Sequence, residues 1–139
     1  MSELKNKVVW ITGASSGIGQ ALAFAMAKEG AKLVLSSRRD QELKKVAKKC
    51  ASDVLILPLD LSNSSNFKDL THQVVEHFGS IDVLINNGGI SQRSEAALTS
   101  LEVDRKLMEV NYFGAAALTK AVLPIMQQQK SGHLVCLDI

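Results

Sequence analysis

Five short apolar runs alternate along the chain with stretches in which apolar residues recur at helical spacing. The runs occupy residues 8–11, 32–37, 54–57, 82–85 and 133–137. Between them, the helical stretches place apolar side chains on one face, as in the third stretch with Phe67, Leu70, Val74, Val75 and Phe78. Strands that read as continuous apolar runs and alternate with helices predict a parallel sheet that helices cover on both faces.

Capping and turn residues predict where the helices begin and end. Gly30 ends the first helix and Gly79 ends the third, while Asp40 caps the second. A polar loop from Ile90 to about residue 99 then leads into one long helical pattern that covers about residues 100–130. We therefore predict one domain, residues 1–139, with an α/β fold.

The predicted fold is a doubly wound, Rossmann-like parallel sheet with five strands in the order 3-2-1-4-5. This order brings the loops after Ile11 and Ile85 to the two sides of one crevice. It also leaves one face of strands four and five without a covering helix. The sheet is thus expected to be incomplete at the strand-five edge, where Leu134, Val135 and Leu137 lie, and a second copy or a partner chain would cover it.

Composition excludes several classes of function. The 139 residues are 46% hydrophobic and 22% charged with a net charge of +2, which predicts neither disorder nor a nucleic-acid partner. No apolar run reaches the roughly 18 residues of a membrane span, and no signal peptide is recognisable. Cys50 and Cys136 fit reduced thiols, so a cytoplasmic location is predicted. His72, His77 and His133 lack metal-ligand spacing, so no metal is expected.

A glycine-rich turn, TGASSGIG at residues 12–19, separates the first strand from the first helix. Such a turn holds a phosphate because free N–H groups and the positive end of the helix dipole converge there. Gly13 would allow the tight turn, Gly17 the approach of a pyrophosphate, and Gly19 close packing of helix and strand. Alone, such a turn is as often a simple connection. The second glycine loop at the same crevice favours the phosphate-binding interpretation.

Four motifs in this order resemble the short-chain dehydrogenase/reductase family over residues 7–137. They are the glycine turn, Asp60-Leu61, the NNGG sequence at residues 86–89, and Asn111. The stretch NNGGISQRS at residues 86–94 is similar in particular to the member 7 group of that family. Gly88 stands where the family usually has alanine, a small change that should preserve the turn.

The resemblance implies a nicotinamide dinucleotide site at the glycine turn. The residues that would line the pyrophosphate and the adjacent ribose are Gly13, Ser15, Ser16, Gly17, Ile18 and Gly19. Arg38, with Arg39 beside it, matches the family position that contacts an adenosine 2′-phosphate, and Ser37 stands where NAD-preferring members have Asp. A guanidinium binds a phosphate that a carboxylate would repel, so the implied cofactor is NADP(H). Alternatively, Arg38 and Arg39 are solvated residues that open a helix.

Further positions follow from the same resemblance. Asp60 would accept a hydrogen bond from the adenine amino group with Leu61 packed alongside, although Asp60 also fits a turn cap. Asn86 would bridge the fourth strand to the cofactor, next to Gly88. Asn111 is similar to the asparagine that orders the family's proton-relay water, although a plain interhelical hydrogen bond would also explain it.

The chain departs from the family at its catalytic residues. The family ends strand five in Ser-Ser and continues into a Tyr-x-x-x-Lys helix, whereas here Asp138 and Ile139 stand at the two serine positions. The only tyrosine, Tyr112, has Ala116 four residues later. The resemblance implies an NADP(H)-dependent oxidoreductase that transfers hydride to or from a carbonyl or alcohol, but this chain alone is expected to be inactive. The alternative is a non-catalytic dinucleotide-binding module, or a truncated product that acts through a partner.

Overall fold

The computed structural model describes residues 3–90 and 99–137. Its five strands are β1 (Val8–Thr12), β2 (Lys32–Ser36), β3 (Val54–Ile56), β4 (Val83–Asn86) and β5 (His133–Cys136). They form one sheet in the order β3-β2-β1-β4-β5, and every neighbouring pair is parallel. The predicted doubly wound order is therefore confirmed. The end of the NNGGISQRS stretch, most of the predicted polar loop, and residues 138–139 lie outside the described residues.

In the described residues, five α-helices lie between the strands along the chain. They are α1 (Gly17–Lys28), α2 (Asp40–Lys48), α3 (Phe67–Phe78), α4 (Leu101–Met108) and α5 (Ala115–Gln129). Gly30 and Gly79 follow α1 and α3 with φ of 83° and 88°, the left-handed conformation that ends a helix, as predicted. None of the helices in residues 3–90 and 99–137 combines the length and the hydrophobicity that crossing a membrane requires.

The start of α2 differs from the prediction. Asp40 is the first residue of the helix, and Arg39 occupies the capping position before it. The Ser37 hydroxyl accepts a hydrogen bond from the Arg39 N–H at 3.0 Å, so a serine turn tightens the chain just before the helix begins. Asp40 forms an ion pair with Lys44 at 3.1 Å instead of capping.

The predicted long helix is interrupted. A π-helical turn, Glu109–Gly114, separates α4 from α5. Ser100 caps α4, because its hydroxyl accepts a hydrogen bond from the Val103 N–H at 3.3 Å. No residue of α4 is buried, whereas α5 buries Leu118, Val122 and Met126. Of these two helices, only α5 therefore packs deeply against the sheet. α4 extends along the carboxyl end of the sheet.

Two hydrophobic layers sandwich the sheet. The layer under α1 and α2 includes Ala23 and Ala27, small residues that bring the helix close to the strands. The layer under α3 and α5 is built from larger side chains. Trp10 at its centre is fully buried, and its Nε1–H donates to the Ser36 hydroxyl at 2.8 Å. The buried indole therefore has the hydrogen-bond partner that its N–H requires.

β5 is the least covered strand of the described sheet. All four of its residues are exposed, with Leu134 at 41% and Val135 at 37% of their full accessible surface. This confirms the uncovered edge that the strand order predicted. Leu137, expected to be equally unprotected, is only partly exposed because it packs against the hydrophobic layer under α1 and α2.

We expect Ser36→Ala to lower the free energy of unfolding by about 1–3 kcal/mol, because it leaves the Trp10 N–H buried without an acceptor. Chemical denaturation followed by circular dichroism measures this change. In a Trp10→Phe background the same Ser36→Ala substitution should cost less than half as much, since no donor is left to satisfy. Equal costs in the two backgrounds would contradict the role of this hydrogen bond.

Candidate functional site

A cleft of about 370 Å³ opens at the carboxyl ends of β1, β2 and β4. Its walls come from the β1–α1 turn, the loops after β2, β3 and β4, and the helical segment of α4 and the π-helical turn. Eight of the residues singled out from the sequence line it: Gly13, Ser15, Ser16, Arg38, Arg39, Asp60, Leu61 and Gly88. Residues far apart in the sequence thus meet in one place, as expected at the switch point of a doubly wound sheet.

The floor of the cleft is the turn between β1 and α1. Gly13 and Gly17 have φ of 63° and 57°, a conformation that a residue with Cβ rarely adopts. A Cβ built on Gly17 would meet no atom of the described residues within 4 Å, so the space beside this turn is open. Ser16, just before the helix, has an extended backbone, and its hydroxyl makes no capping hydrogen bond there. The N-terminus of α1 therefore faces accessible space without a side-chain cap.

Gly19 serves a different contact from the predicted one. A Cβ at this position would collide with the Gly13 carbonyl oxygen and would lie 2.6 Å from Asn87 Nδ2. The close approach is thus to the turn and to the loop after β4, not to the strand itself. Gly17, Ile18 and Gly19 lie at the start of α1 but do not line the cleft as the described residues define it, and Ile18 is 63% exposed.

Thr12 joins the two glycine loops. Its Oγ1 accepts hydrogen bonds from the backbone N–H groups of Asn87 at 3.0 Å and Gly88 at 2.8 Å, and donates to the Ile85 carbonyl at 3.4 Å. These three bonds use the full capacity of a hydroxyl group. In return, Asn87 Nδ2 donates to the carbonyls of Thr12 and Gly13, both at 3.2 Å. Thr12 and Asn87 lie in the glycine-turn and NNGG motifs, but their residue types alone predicted no separate role for them.

Asn86 lies outside the cleft, although the resemblance placed it at the cofactor. Its side chain is 6% exposed, and its Nδ2 donates to Thr119 Oγ1 at 3.0 Å and approaches Cys136 Sγ at 3.7 Å. Among the described residues its Oδ1 has no hydrogen-bond partner. Asn86 therefore ties β4 to α5 and β5, and the neighbouring Asn87 takes the place at the glycine turn.

Asp60 stands at the charged end of the cleft. The hydroxyl and backbone N–H of Ser62 donate to its Oδ1 at 2.6 and 2.9 Å, so the turn-capping interpretation holds. These two hydrogen bonds, together with the positive charges of Arg38 and Lys106, hold the pKa of the carboxyl below its usual value. Asp60 is accordingly an ionised acceptor that borders the cleft.

Both the oxygen and the nitrogen of the Asn111 amide bind one residue. Its Oδ1 accepts from the Ile90 N–H at 2.8 Å, and its Nδ2 donates to the Ile90 carbonyl at 2.7 Å. The partner is therefore the loop after β4 and not another helix. The π-helical turn places Asn111 against this loop, while the adjacent Tyr112 is 59% exposed.

A sequence model of the family described as short chain dehydrogenase matches residues 7–137. The chain belongs to this family. Among curated proteins, human dehydrogenase/reductase SDR family member 7 is 49% identical over 98% of this chain. The alignment covers 42% of that human protein, so the chain spans less than half of its relative's length.

Solved short-chain dehydrogenases share the fold. One from Streptomyces avermitilis superposes with a TM-score of 0.88 at 34% identity, covering 98% of this chain and 50% of the other. A metagenomic short-chain oxidoreductase in complex with NADP superposes with a TM-score of 0.90 at 29% identity, covering 97% of this chain and 63% of the other. The fold class and the family are therefore established for this chain.

We expect Thr12→Val to lower the free energy of unfolding by about 2 kcal/mol, because two backbone N–H groups lose their acceptor. Chemical denaturation of the purified chain measures the loss. Thr12→Ser is the matched control, since it keeps the hydroxyl and should lose less than half as much. The assignment fails if serine and valine at this position are equally destabilising.

Proposed function

We propose that the cleft binds NADP(H), and that the chain provides the nucleotide-binding part of a short-chain dehydrogenase that transfers hydride between a carbonyl and an alcohol. The observation that carries the proposal is the meeting, in one cleft, of an uncapped helix N-terminus with the guanidinium groups of Arg38 and Arg39. The first feature suits a pyrophosphate, and the second suits the extra phosphate of NADP(H).

At the glycine turn, the open space beside Gly17 fits a pyrophosphate. The N–H groups of the first turn of α1 have no earlier carbonyl to bind, and the helix dipole adds positive potential there. The hydroxyls of Ser15 and Ser16 border the same space. Ile18 and Gly19 would then contribute through their backbone, because their side-chain positions are not part of the cleft.

At the adenosine end of the cleft, Arg38 and Arg39 stand where a site selective for NAD would have a carboxylate. Ser37 lines the cleft, and its hydroxyl is held by the Arg39 N–H. Arg38 and Arg39 are both exposed, so their charged groups are accessible to a 2′-phosphate. Asp60 would accept a hydrogen bond from the adenine amino group with Leu61 beside it, and Gly88 lines the same cleft. The NADP complex of a solved relative supports this preference.

When bound, the nicotinamide would supply or accept the hydride. The residues of this chain would bind the dinucleotide and hold its orientation. Asn111, the candidate catalytic residue, would act by holding the loop after β4 through Ile90, since both ends of its amide are engaged there. The Tyr-x-x-x-Lys pair that protonates the substrate oxygen in the family is absent from the 139 residues.

A second candidate function is a dinucleotide-binding module without chemistry of its own. It is favoured by Tyr112, the only tyrosine, which is exposed and does not line the cleft. In this case a second copy or a partner chain would cover the exposed residues Leu134 and Val135 of β5 and supply the catalytic groups.

Arg38→Gln tests the cofactor proposal. We expect the unmodified chain to bind NADPH at least ~10-fold more tightly than NADH, and Arg38→Gln to remove most of this preference while leaving NADH affinity nearly unchanged, because one charge-assisted pair to the 2′-phosphate is lost. Isothermal titration calorimetry with both nucleotides measures the two affinities. Lys48→Gln on α2 is the control, since this exposed lysine makes the same charge change outside the cleft. A chain that binds the two nucleotides equally would contradict the NADP(H) assignment.

Turnover separates the two candidate functions. We expect the purified chain, incubated with NADPH and a panel of aldehydes and ketones, to show no oxidation of NADPH above the background rate, because its 139 residues contain no Tyr-x-x-x-Lys pair. The reduced nicotinamide absorbs at about 340 nm, so the loss of this absorbance measures the oxidation of NADPH. Sustained oxidation of NADPH in the presence of one carbonyl compound would show that the chain has chemistry of its own. This result would exclude a module that only binds the dinucleotide.

A further inference from the structure

Lys106 is a cation of the cleft that no motif of the sequence identified. It lies on α4 and lines the cleft from a different wall than Arg38 and Arg39, which follow β2. Its charge and that of Arg38 both act on the carboxylate of Asp60. Lys106 therefore stands within electrostatic reach of the adenosine end of the cleft.

The charge balance of the cleft favours an anion at this end. Four charged residues are found among the described residues that line it: Arg38, Arg39, Lys106 and Asp60. Within the described part of the chain, Lys106 forms no ion pair shorter than 4.0 Å, and its side chain is exposed. Its ammonium group, on a flexible stem with three donors, is thus free to turn towards a ligand.

A bound ligand is a better partner for the Lys106 ammonium group than the carboxylate of Asp60. The two hydrogen bonds from Ser62 already occupy Asp60 Oδ1, and the lysine acts on this carboxylate only at a distance. One acidic group among three cations leaves an excess of positive charge that a dianionic phosphate would neutralise. A cleft also focuses such a field more strongly than a flat surface does.

We propose that Lys106 is a second specificity-determining cation for the phosphorylated adenosine of the dinucleotide, and that it acts on the 2′-phosphate from the α4 wall of the cleft. The inference rests on the proposed function. It adds that selection of the phosphorylated cofactor comes from two walls, the loop after β2 and α4. The pyrophosphate is a less suitable target for Lys106, because it would bind at the glycine turn, which lies on another wall.

The test compares neighbouring charges on one helix. Lys106→Gln and Arg105→Gln remove one positive charge each from exposed positions of α4, but only Lys106 lines the cleft. We expect Lys106→Gln to weaken NADPH binding about 5-fold and NADH binding less than about 2-fold, because the extra phosphate carries the charge that the lysine attracts. Arg105→Gln should change either affinity less than about 2-fold.

Two further measurements refine this test by calorimetry. Lys106→Arg should retain the NADPH preference, since it restores the charge. The NADPH affinity of Lys106→Gln should also fall less steeply with added salt than that of the unmodified chain, because one fewer charge takes part. Both variants change an exposed residue of a helix without buried side chains, so their thermal unfolding should match the unmodified chain.

The contradicting outcomes are distinct. Equal losses of NADPH and NADH affinity in Lys106→Gln, or equal effects of Lys106→Gln and Arg105→Gln, would overturn the inference and leave the proposed function intact. Failure of the unmodified chain to bind either nucleotide would overturn both. Preference for NADPH that depends on Arg38 but not on Lys106 would restrict the selection to the loop after β2.

Discussion

The hydroxyl of Thr12 holds together the two loops on which the cleft depends. β1 and β4 lie side by side at the switch point, and the chain leaves them towards helices on opposite faces of the sheet. The Thr12 side chain joins the loops that follow these strands, because its two acceptor sites bind two consecutive N–H groups of the second loop. Asn87 Nδ2 adds hydrogen bonds in the opposite direction, to the carbonyls of Thr12 and Gly13. The contact is close, since a Cβ on Gly13 would lie 2.8 Å from the Cα of Gly88, and only small residues fit there.

Much of the fold could be predicted because it follows from local pattern and chain handedness. Continuous apolar runs identified the five strands, and right-handed crossovers left one natural order. Gly30 and Gly79 ended their helices as their conformational freedom allows. The predicted start of α2 was wrong by one residue, because the Ser37 hydroxyl forms a turn with the Arg39 N–H and Arg39, not Asp40, occupies the capping position. Such competition depends on side-chain geometry that residue preference alone does not specify.

The site was harder to predict than the fold, and Asn86 shows why. Side chains alternate between the two faces of a strand, so the orientation of this asparagine depends on which residue ends β4. The sequence pattern ended the strand at Ile85, whereas β4 includes Asn86 and turns its side chain towards α5. The sequence therefore did not indicate that Asn86 contacts α5 while Asn87 contacts the glycine turn. The π-helical turn and the position of Lys106 had no local signal at all, because both depend on how α4 packs beside the loop after β4.

The helices cover the sheet unevenly. The cleft therefore lies among buried strands, whereas the β5 edge is exposed. The cleft is built from β1, β2 and β4 and from α4, and the strands among these are buried between the two layers. β5 contributes no residue to the cleft lining in the described part of the chain, and its side chains are exposed. β4 links the two regions, because it pairs with all four residues of β5 and its Asn86 contacts Cys136 and precedes the asparagine at the glycine turn. Covering β5 would therefore act on the cleft through β4. The described cleft is thus built from the buried strands, the loops that follow them and α4, whereas the exposed edge of β5 is a separate surface.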